Sequence, residues 1–453
     1  MNARITRNLQ FKGTRDTNRT IECTNDTKFT IQGHERHEQD DLNARITRKY
    51  RLTKYINSAL ENEELHTPCF ILDKNDLVNN IRSFNKALAK HFSKHIIGYS
   101  VKTNSLPYVL KLAKDNGCYA EVVSYQEYAL ALKIGFQPQH IIYNGPLRSK
   151  ETFLKAVTDR AIVNIETWRE IEWLKELPKD KSYKVGIRIN INISKVSPAD
   201  EAESDDNSRF GFSFETSELK HAIERVDSLG NVKIVGIHTH REPKTRSIKF
   251  YQNVIEYVQQ AIEALSLQLE YWDLGGGFFG PMPGKPTFED YSEGFYSAMA
   301  PWARQLNIIV EPGNAIVASS FDYVTEVLDV KQHDNKIFVT TNGTRNDIDP
   351  FFHKHSYFTE IKYKANHNQV AELPQIVGGL SCLEYDRLFT IEAGSKSLVV
   401  GDTIIYKRVG AYTMALTPLF IHYFPTVYMK EDNKLSVIRK EWNEDDFLKE
   451  NLY

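Results

Sequence analysis

The sequence predicts a closed (β/α)8 barrel followed by a mostly antiparallel β domain. Three observations carry that prediction. Short apolar, β-branched runs alternate with longer amphipathic runs from residue 95 to residue 313. The short runs are apolar on both faces, as parallel strands covered by helices must be. After residue 313 the long amphipathic runs stop and strand-like runs follow one another.

In chain order, TPCFILD (67–73) reads as a short strand and DLVNNIRSFNKALAKHF (76–92) as an amphipathic helix. HIIGYSV (95–101) is a strand followed by the helical LPYVLKLAKDN. CYAEVVS (118–124) is followed by YQEYALALKIG, HIIYNGP (140–146) by KETFLKAVTD, and AIVNIE (161–166) by TWREIEWLKEL. KVGIRINI (184–191) runs into a polar insertion before the helical ETSELKHAIERVDSL. VKIVGIHTH (232–240) precedes SIKFYQNVIEYVQQAIEAL, LEYWDLGGG (269–277) precedes DYSEGFYSAMAPWARQL, and NIIVEPG (307–313) closes the series. Eight such units over about 250 residues match a closed barrel; a doubly wound open sheet is the alternative. The barrel is therefore placed at 66–313 and the β domain at 314–453. In the β domain FDYVTEVLDVK, KIFVTTNG, DTIIYKRVG and LFIHYFPTVYM read as strands. The early strand 67–73 could pair into that domain.

Residues 1–50 are rich in Thr, Asn, Arg and Asp and poor in large apolar residues. Such a composition buries too little surface to offset the entropy of ordering, so a disordered or loosely docked extension is expected. NARITR occurs at 2–7 and again at 43–48, but one duplication is not a solenoid.

The formal net charge of -2 excludes a global field that would attract nucleic acid or an anionic membrane. No apolar run approaches the roughly 20 residues needed to span a bilayer. The polar, basic start MNARITRNLQ lacks the apolar segment of a secretory signal. Cys23, Cys69, Cys118 and Cys382 are widely spaced, which argues against a zinc site or a disulfide framework. A cytoplasmic chain with no metal and free thiols is expected.

In a barrel, chemistry sits at the C-terminal ends of the strands. Here those ends carry Lys102; Glu121 and Ser124; Asn144; Asn164 and Glu166; Arg188 and Asn190; His238 and His240; Asp273 with Gly275, Gly276 and Gly277; and Glu311. A packed core would place Val or Leu there. Lys102, directly after an apolar strand, is a candidate Schiff-base lysine, since partial burial lowers an amine's pKa. Alone it reads equally as a solvated strand-end lysine. The triple glycine can bring backbone N–H groups to a phosphate, or can simply be a tight turn.

The motifs TPCFILD, YSVKTNS, EVVSYQE, YNGP, GIHTH, DLGGG, EPG, SCLEYD and GAYTMAL together resemble the fold type III pyridoxal-phosphate decarboxylases, which include ornithine and diaminopimelate decarboxylases. They keep the family's order from about residue 66 to 430. The resemblance implies a barrel plus β domain, pyridoxal 5'-phosphate as cofactor, an amino-acid substrate, and a homodimer with shared active sites. By the same resemblance, Lys102 carries the cofactor, His240 stacks on its ring and Glu311 pairs with the pyridine nitrogen. Gly275, Gly276, Gly277 and Tyr412 hold the phosphate. Cys382, contributed by the partner subunit, helps protonate the carbanion. His240 could instead be a structural strand-end histidine, and Cys382 a small buried hydrophobe.

The departures concern phosphate and substrate. The family follows its stacking His with Gly-Ser, whereas here the run is HREPKTRS; Arg246 or Ser247 is the candidate replacement. EPG is followed by Asn314 rather than Arg, and Arg241 or Arg246 could restore the charge. The family's acid after the catalytic Cys is Leu383 here, with Glu384 next. The stretch NGTRNDIDPFF carries Arg345, and Asp349 before Pro350 where diaminopimelate decarboxylases have Arg-Pro. Leu383, Glu384, Arg345 and Asp349 are therefore the candidate substrate contacts. Ornithine and diaminopimelate are disfavoured as substrates, and a siderophore or natural-product role is suggested by family association alone. A racemase on the same cofactor and a non-catalytic homologue are the alternatives.

Overall fold

The computed structural model describes residues 19–23, 27–31, 65–200, 208–242, 244–364, 368–432, 434–449 and 451. The predicted extension at 1–50 lies outside the described residues except for strands β1 (Arg19–Cys23) and β2 (Thr27–Ile31), which pair antiparallel. Barrel and β domain both lie within residues 67–453.

Strand β3 (Cys69–Asp73) leads into the helix Lys74–His91, where the Asp73 carboxylate accepts the Asp76 N–H at 3.0 Å and caps the first turn. The barrel follows: β4 (His95–Ser100), β5 (Tyr119–Ser124), β6 (Ile141–Leu147), β7 (Ile162–Ile165) and β8 (Tyr183–Asn190). A two-residue β9 (Phe212–Ser213) extends β8, and β10 (Val232–His238), β11 (Tyr271–Asp273) and β12 (Asn307–Val310) complete the set. All these pairings are parallel; β8 pairs with β10 and β12 returns to β4, so the ring closes. The open-sheet alternative is thereby excluded.

Alternation along the strands sorts the barrel interior into layers. Ile142, Val235, Tyr271 and Ile309 form an apolar plug. Two residues further along β6 and β11, and just past β12, stand Asn144, Asp273 and Glu311, all buried. The Tyr271 ring fills the barrel because β8 and β10 have glycine opposite it. A Cβ at Gly186 or Gly236 would come within 2.1 and 2.0 Å of that ring or its hydroxyl. Outside, helices such as Ile248–Ala264 bury Val254, Ile255 and Val258 against the strands.

The β domain is built on β13 (Phe321–His333), flanked by β14 (Lys336–Thr341) and β3, both antiparallel to it. β15 (Phe358–Lys362), β16 (Gln375–Gly378), β17 (Arg387–Ile391) and β18 (Thr403–Lys407) extend it, with β19 (Thr426–Glu431) and β20 (Lys434–Arg439) beyond β3. Pairing is mostly antiparallel; β14–β16 and β3–β19 are parallel. One predicted strand is shorter than its apolar run. LFIHYF (419–424) is not extended sheet, and only Thr426–Glu431 pairs. Leu419 and Ile421 are exposed, 38% and 62%, so hydrophobicity there marks a surface rather than a strand.

Candidate active site

Lys102 sits in a single turn (Val101–Thr103) directly after β4. Its Nζ donates to Ser100 Oγ at 2.8 Å and to Glu121 Oε2 at 3.0 Å, and Ser100 Oγ donates to the same carboxylate oxygen at 2.6 Å. The lysine side chain is 38% exposed while the Glu121 side chain is buried. The sequence reading expected a depressed amine. Burial does push that way, but Glu121, Glu311 and Tyr412 more than offset it, and the ammonium is held above its ordinary value. The partner carboxylate, 19 residues away on β5, is what the single residue could not reveal.

The centre of the barrel mouth is a network of carboxyls and amides. Glu311 accepts from Asn144 Nδ2, Asn144 Oδ1 accepts from Asn164 Nδ2 at 2.8 Å, and Asn164 Oδ1 accepts from Tyr271 OH at 2.7 Å. Asp273 Oδ1 accepts the Gly275 N–H at 3.0 Å. His238, Asp273 and Glu311 bring ligand-type atoms within 4.8 Å of one another, all buried. Burial, then the charge of Glu311 and a hydrogen bond to it, push the Asp273 carboxyl well above the usual range. Burial and the nearby Arg188 hold His238 neutral, its Nε2 3.5 Å from Glu311.

Arg188 organises the next strand end. It pairs with Glu166 at 2.7 Å and donates to the His240 carbonyl at 3.1 Å. His240 itself is neutral, pushed down to about 3 by burial and by the Arg188 charge. Its Nδ1 accepts the Gly276 N–H at 3.1 Å. Two of the three glycine N–H groups are thus already used, Gly275 on Asp273 and Gly276 on His240. Among the described residues no protein acceptor takes the Gly277 N–H. The loop is closely fitted: a Cβ at Gly276 would meet the Glu311 carbonyl at 2.4 Å.

The β domain reaches this mouth at one loop. Tyr412, at φ 54° and 43% exposed, donates its N–H to the Thr103 carbonyl at 2.9 Å. Asn104 Nδ2 donates to Gly410 O at 2.9 Å. Arg246 lies with its guanidinium 5.5 Å from the centroid of Phe279, and Lys285 approaches the same ring at 5.0 Å. Ser247 is committed as a helix cap, accepting from Phe250 N at 3.2 Å.

Other predicted contacts lie elsewhere in the β domain. Arg345 and Asp349 hold each other at 2.8 Å, and Arg345 also donates to the carbonyls of Lys354 and Arg387. Asp349 accepts two further backbone N–H groups and the Tyr357 hydroxyl. The pair is an internal clamp of its own loop. Cys382 is exposed, Leu383 half-buried, and the Glu384 side chain 99% exposed. Cys69 and Cys118 are buried free thiols.

Residues 75–318 match the family model described as the pyridoxal binding domain of pyridoxal-dependent decarboxylases. The chain belongs to this family. Among its relatives, the probable chloroplastic diaminopimelate decarboxylase of Oryza sativa subsp. japonica is 26% identical over 399 residues, covering 84% of this chain and 79% of that one. The diaminopimelate decarboxylase of Aquifex aeolicus is 25% identical over 394 residues, covering 84% and 90%. Helicobacter pylori diaminopimelate decarboxylase, solved with L-lysine, superposes with a TM-score of 0.73 at 25% identity over 86% of this chain and 98% of that one. This pyridoxal-dependent decarboxylase therefore uses pyridoxal phosphate and acts on an amino acid.

The residues at the decarboxylase's barrel mouth fit the cofactor's chemistry. A partly exposed lysine, a buried carboxylate and a neutral imidazole are the kinds of group that a pyridoxal ring and its aldehyde require. The Gly277 N–H, and the Arg246 and Lys285 cations around the Phe279 ring two residues further on, are the groups available to an anion. Ser100 and the pairing of Asn144 with Asn164 and Glu311 are not legible in the sequence, because the partners lie on other strands; Lys285 stands in no motif. No helix among the described residues is long and apolar enough to cross a membrane.

Proposed function

We propose that the enzyme removes the α-carboxyl group of an amino acid whose distal end is not a free ammonium, at a site shared between two subunits. The observation that carries the catalytic assignment is Lys102, poised on Glu121 at the mouth of a barrel whose floor is the Glu311 network. Lys102 would hold the cofactor covalently, with Glu121 3.0 Å from its Nζ to orient the amine. His240 would pack against the ring. Glu311, held by Asn144, would pair with the ring nitrogen. The cofactor, when bound, supplies the sink for the electron pair left at the α-carbon as carbon dioxide departs. Gly277, Arg246 and Tyr412 would hold the phosphate, in place of the absent Ser and Arg of the family pattern.

Cys382 of a second subunit delivers the proton to the α-carbon. Its exposure, between Leu380 at 52% and Tyr385 at 59%, supports a segment that a partner covers. Leu383 follows it where the family has an acid. A distal ammonium against Leu383 would lose its counter-charge, at a cost of a few kcal/mol or about a hundredfold in turnover efficiency. Glu384 points fully into solvent in the single chain and is the competing acid. The test is carbon dioxide release across diamino acids, diaminopimelate included, and amino acids that carry additional carboxylate or phosphate groups but no second amine. Turnover of the anionic class, with gain on diamino acids in Leu383→Asp, supports the reading. Efficient turnover of ornithine or diaminopimelate by the unmodified enzyme refutes the specificity.

A further inference from the structure

Arg246 stands in the loop that replaces the family's Gly-Ser, and its conformation is enforced from several sides. It has φ 53°, a left-handed value that a non-glycine residue keeps only when its surroundings over-determine it. On its N-terminal side, Thr245 donates both its N–H (2.9 Å) and its hydroxyl to Asp200 Oδ1. On its C-terminal side, Ser247 N donates to Thr245 Oγ1 at 3.1 Å, so the threonine hydroxyl bridges Asp200 to the start of the helix Ile248–Ala264. The Arg246 carbonyl accepts from Tyr291 OH at 2.7 Å, and the same hydroxyl accepts from Phe279 N at 3.2 Å, two residues past Gly277. Tyr251 OH donates to the Gly276 carbonyl at 3.1 Å, and the charges of Arg246, Glu242 and Asp200 all reach that hydroxyl. These ties fix the backbone turn at Arg246, whose guanidinium lies over Phe279 at 5.5 Å and 3.5 Å from the exposed Glu242 carboxylate.

Asp200 belongs to the polar insertion after β8, not to the barrel pattern. It is 3% exposed, and its second oxygen accepts Ser197 Oγ at 2.9 Å. Among the described residues it accepts from Ser197 and Thr245, and Thr245 directly precedes Arg246.

We propose that Asp200 is a positioning residue for phosphate recognition: through Thr245 it fixes the backbone turn that presents Arg246 to the phosphate of the cofactor. This rests on the assignment of Arg246 to that phosphate. Asp200 thus holds the segment that stands where the family pattern has Gly-Ser.

The test uses cofactor-free full-length protein and compares affinity for pyridoxal phosphate with affinity for pyridoxal, which lacks the phosphate. Arg246→Ala lowers the affinity ratio about tenfold or more, as expected for a lost charge-assisted contact. Asp200→Ala lowers the ratio comparably with pyridoxal affinity unchanged, and the double variant falls no further than either single one. Asp200→Asn, whose amide oxygen still accepts from Thr245, restores most of the ratio, which general loosening would not do. A normal ratio in Asp200→Ala with a reduced one in Arg246→Ala overturns the clamp and leaves the phosphate assignment standing. A normal ratio in Arg246→Ala overturns that assignment, and the clamp with it. Should Asp200→Ala fail to fold by circular dichroism, Thr245→Val carries the test, and an unchanged ratio there overturns the clamp.

Discussion

Asp273 and Glu311 lie close together and deeply buried at the barrel mouth. That setting favours the protonated form of Asp273. Its carboxyl is pushed up by burial and by Glu311, while Glu311 is held by the Asn144 amide, which can only donate from Nδ2. A cofactor nitrogen paired with Glu311, as proposed, would meet a carboxylate that Asn144 already orients. Asp273→Asn should therefore keep cofactor binding and lose less than about tenfold in turnover, because an amide can still donate to Glu311 and accept from Gly275. Asp273→Leu, lacking any donor, should lose about tenfold to a hundredfold, the worth of a hydrogen bond to a charged group. Steady-state kinetics on both variants decide it; equal losses would show that Asp273 acts only by filling space. The sequence named Asp273 as one polar strand end among many. Its partner, 38 residues on, is met only when β11 and β12 pair in register.

The helices show how a local device acquires an energetic cost. Ser124 caps the helix Tyr125–Ile134 by accepting Glu127 N at 3.1 Å, and the Glu127 carboxylate reaches back to Val123 N at 2.8 Å. Glu127 is pushed up from 4.5 to about 7, first by burial and then by Glu121, against the Val123 N–H and Lys102. A carboxyl raised in the folded state binds its proton more tightly than in the unfolded chain. Its contribution is full below about pH 4.5 and is lost as pH rises through about 7. Glu127→Gln keeps an oxygen for Val123 N–H and removes the titration. Between pH 5 and pH 8 the variant should gain on the parent by on the order of 1–3 kcal/mol. Urea denaturation at both pH values measures this, and parallel pH dependence of the two proteins would refute it. The element pattern was legible where physics makes it local. Strands covered on both faces must be apolar throughout, so all eight barrel strands could be read. The segment 419–424 was misread because apolar composition alone does not separate a strand from an exposed apolar loop.

At the scale of the molecule, the barrel mouth is assembled from parts distant in sequence. Lys102 follows the first barrel strand, Glu311 the last, and Tyr412 comes from a β-domain loop held to the lysine turn through Thr103. Cys382 stands exposed in the connection between β16 and β17, and shared sites would explain why. Mixing inactive Lys102→Ala protein with inactive Cys382→Ala protein should then restore part of the activity in heterodimers. Absence of recovery despite proven subunit exchange would count against shared sites. Borohydride reduction of the loaded enzyme followed by peptide mapping tests the central assignment, Lys102 as the cofactor lysine, most directly. The pyridoxyl label should fall on Lys102, in the peptide containing YSVKTNS; a label on any other lysine would contradict the assignment.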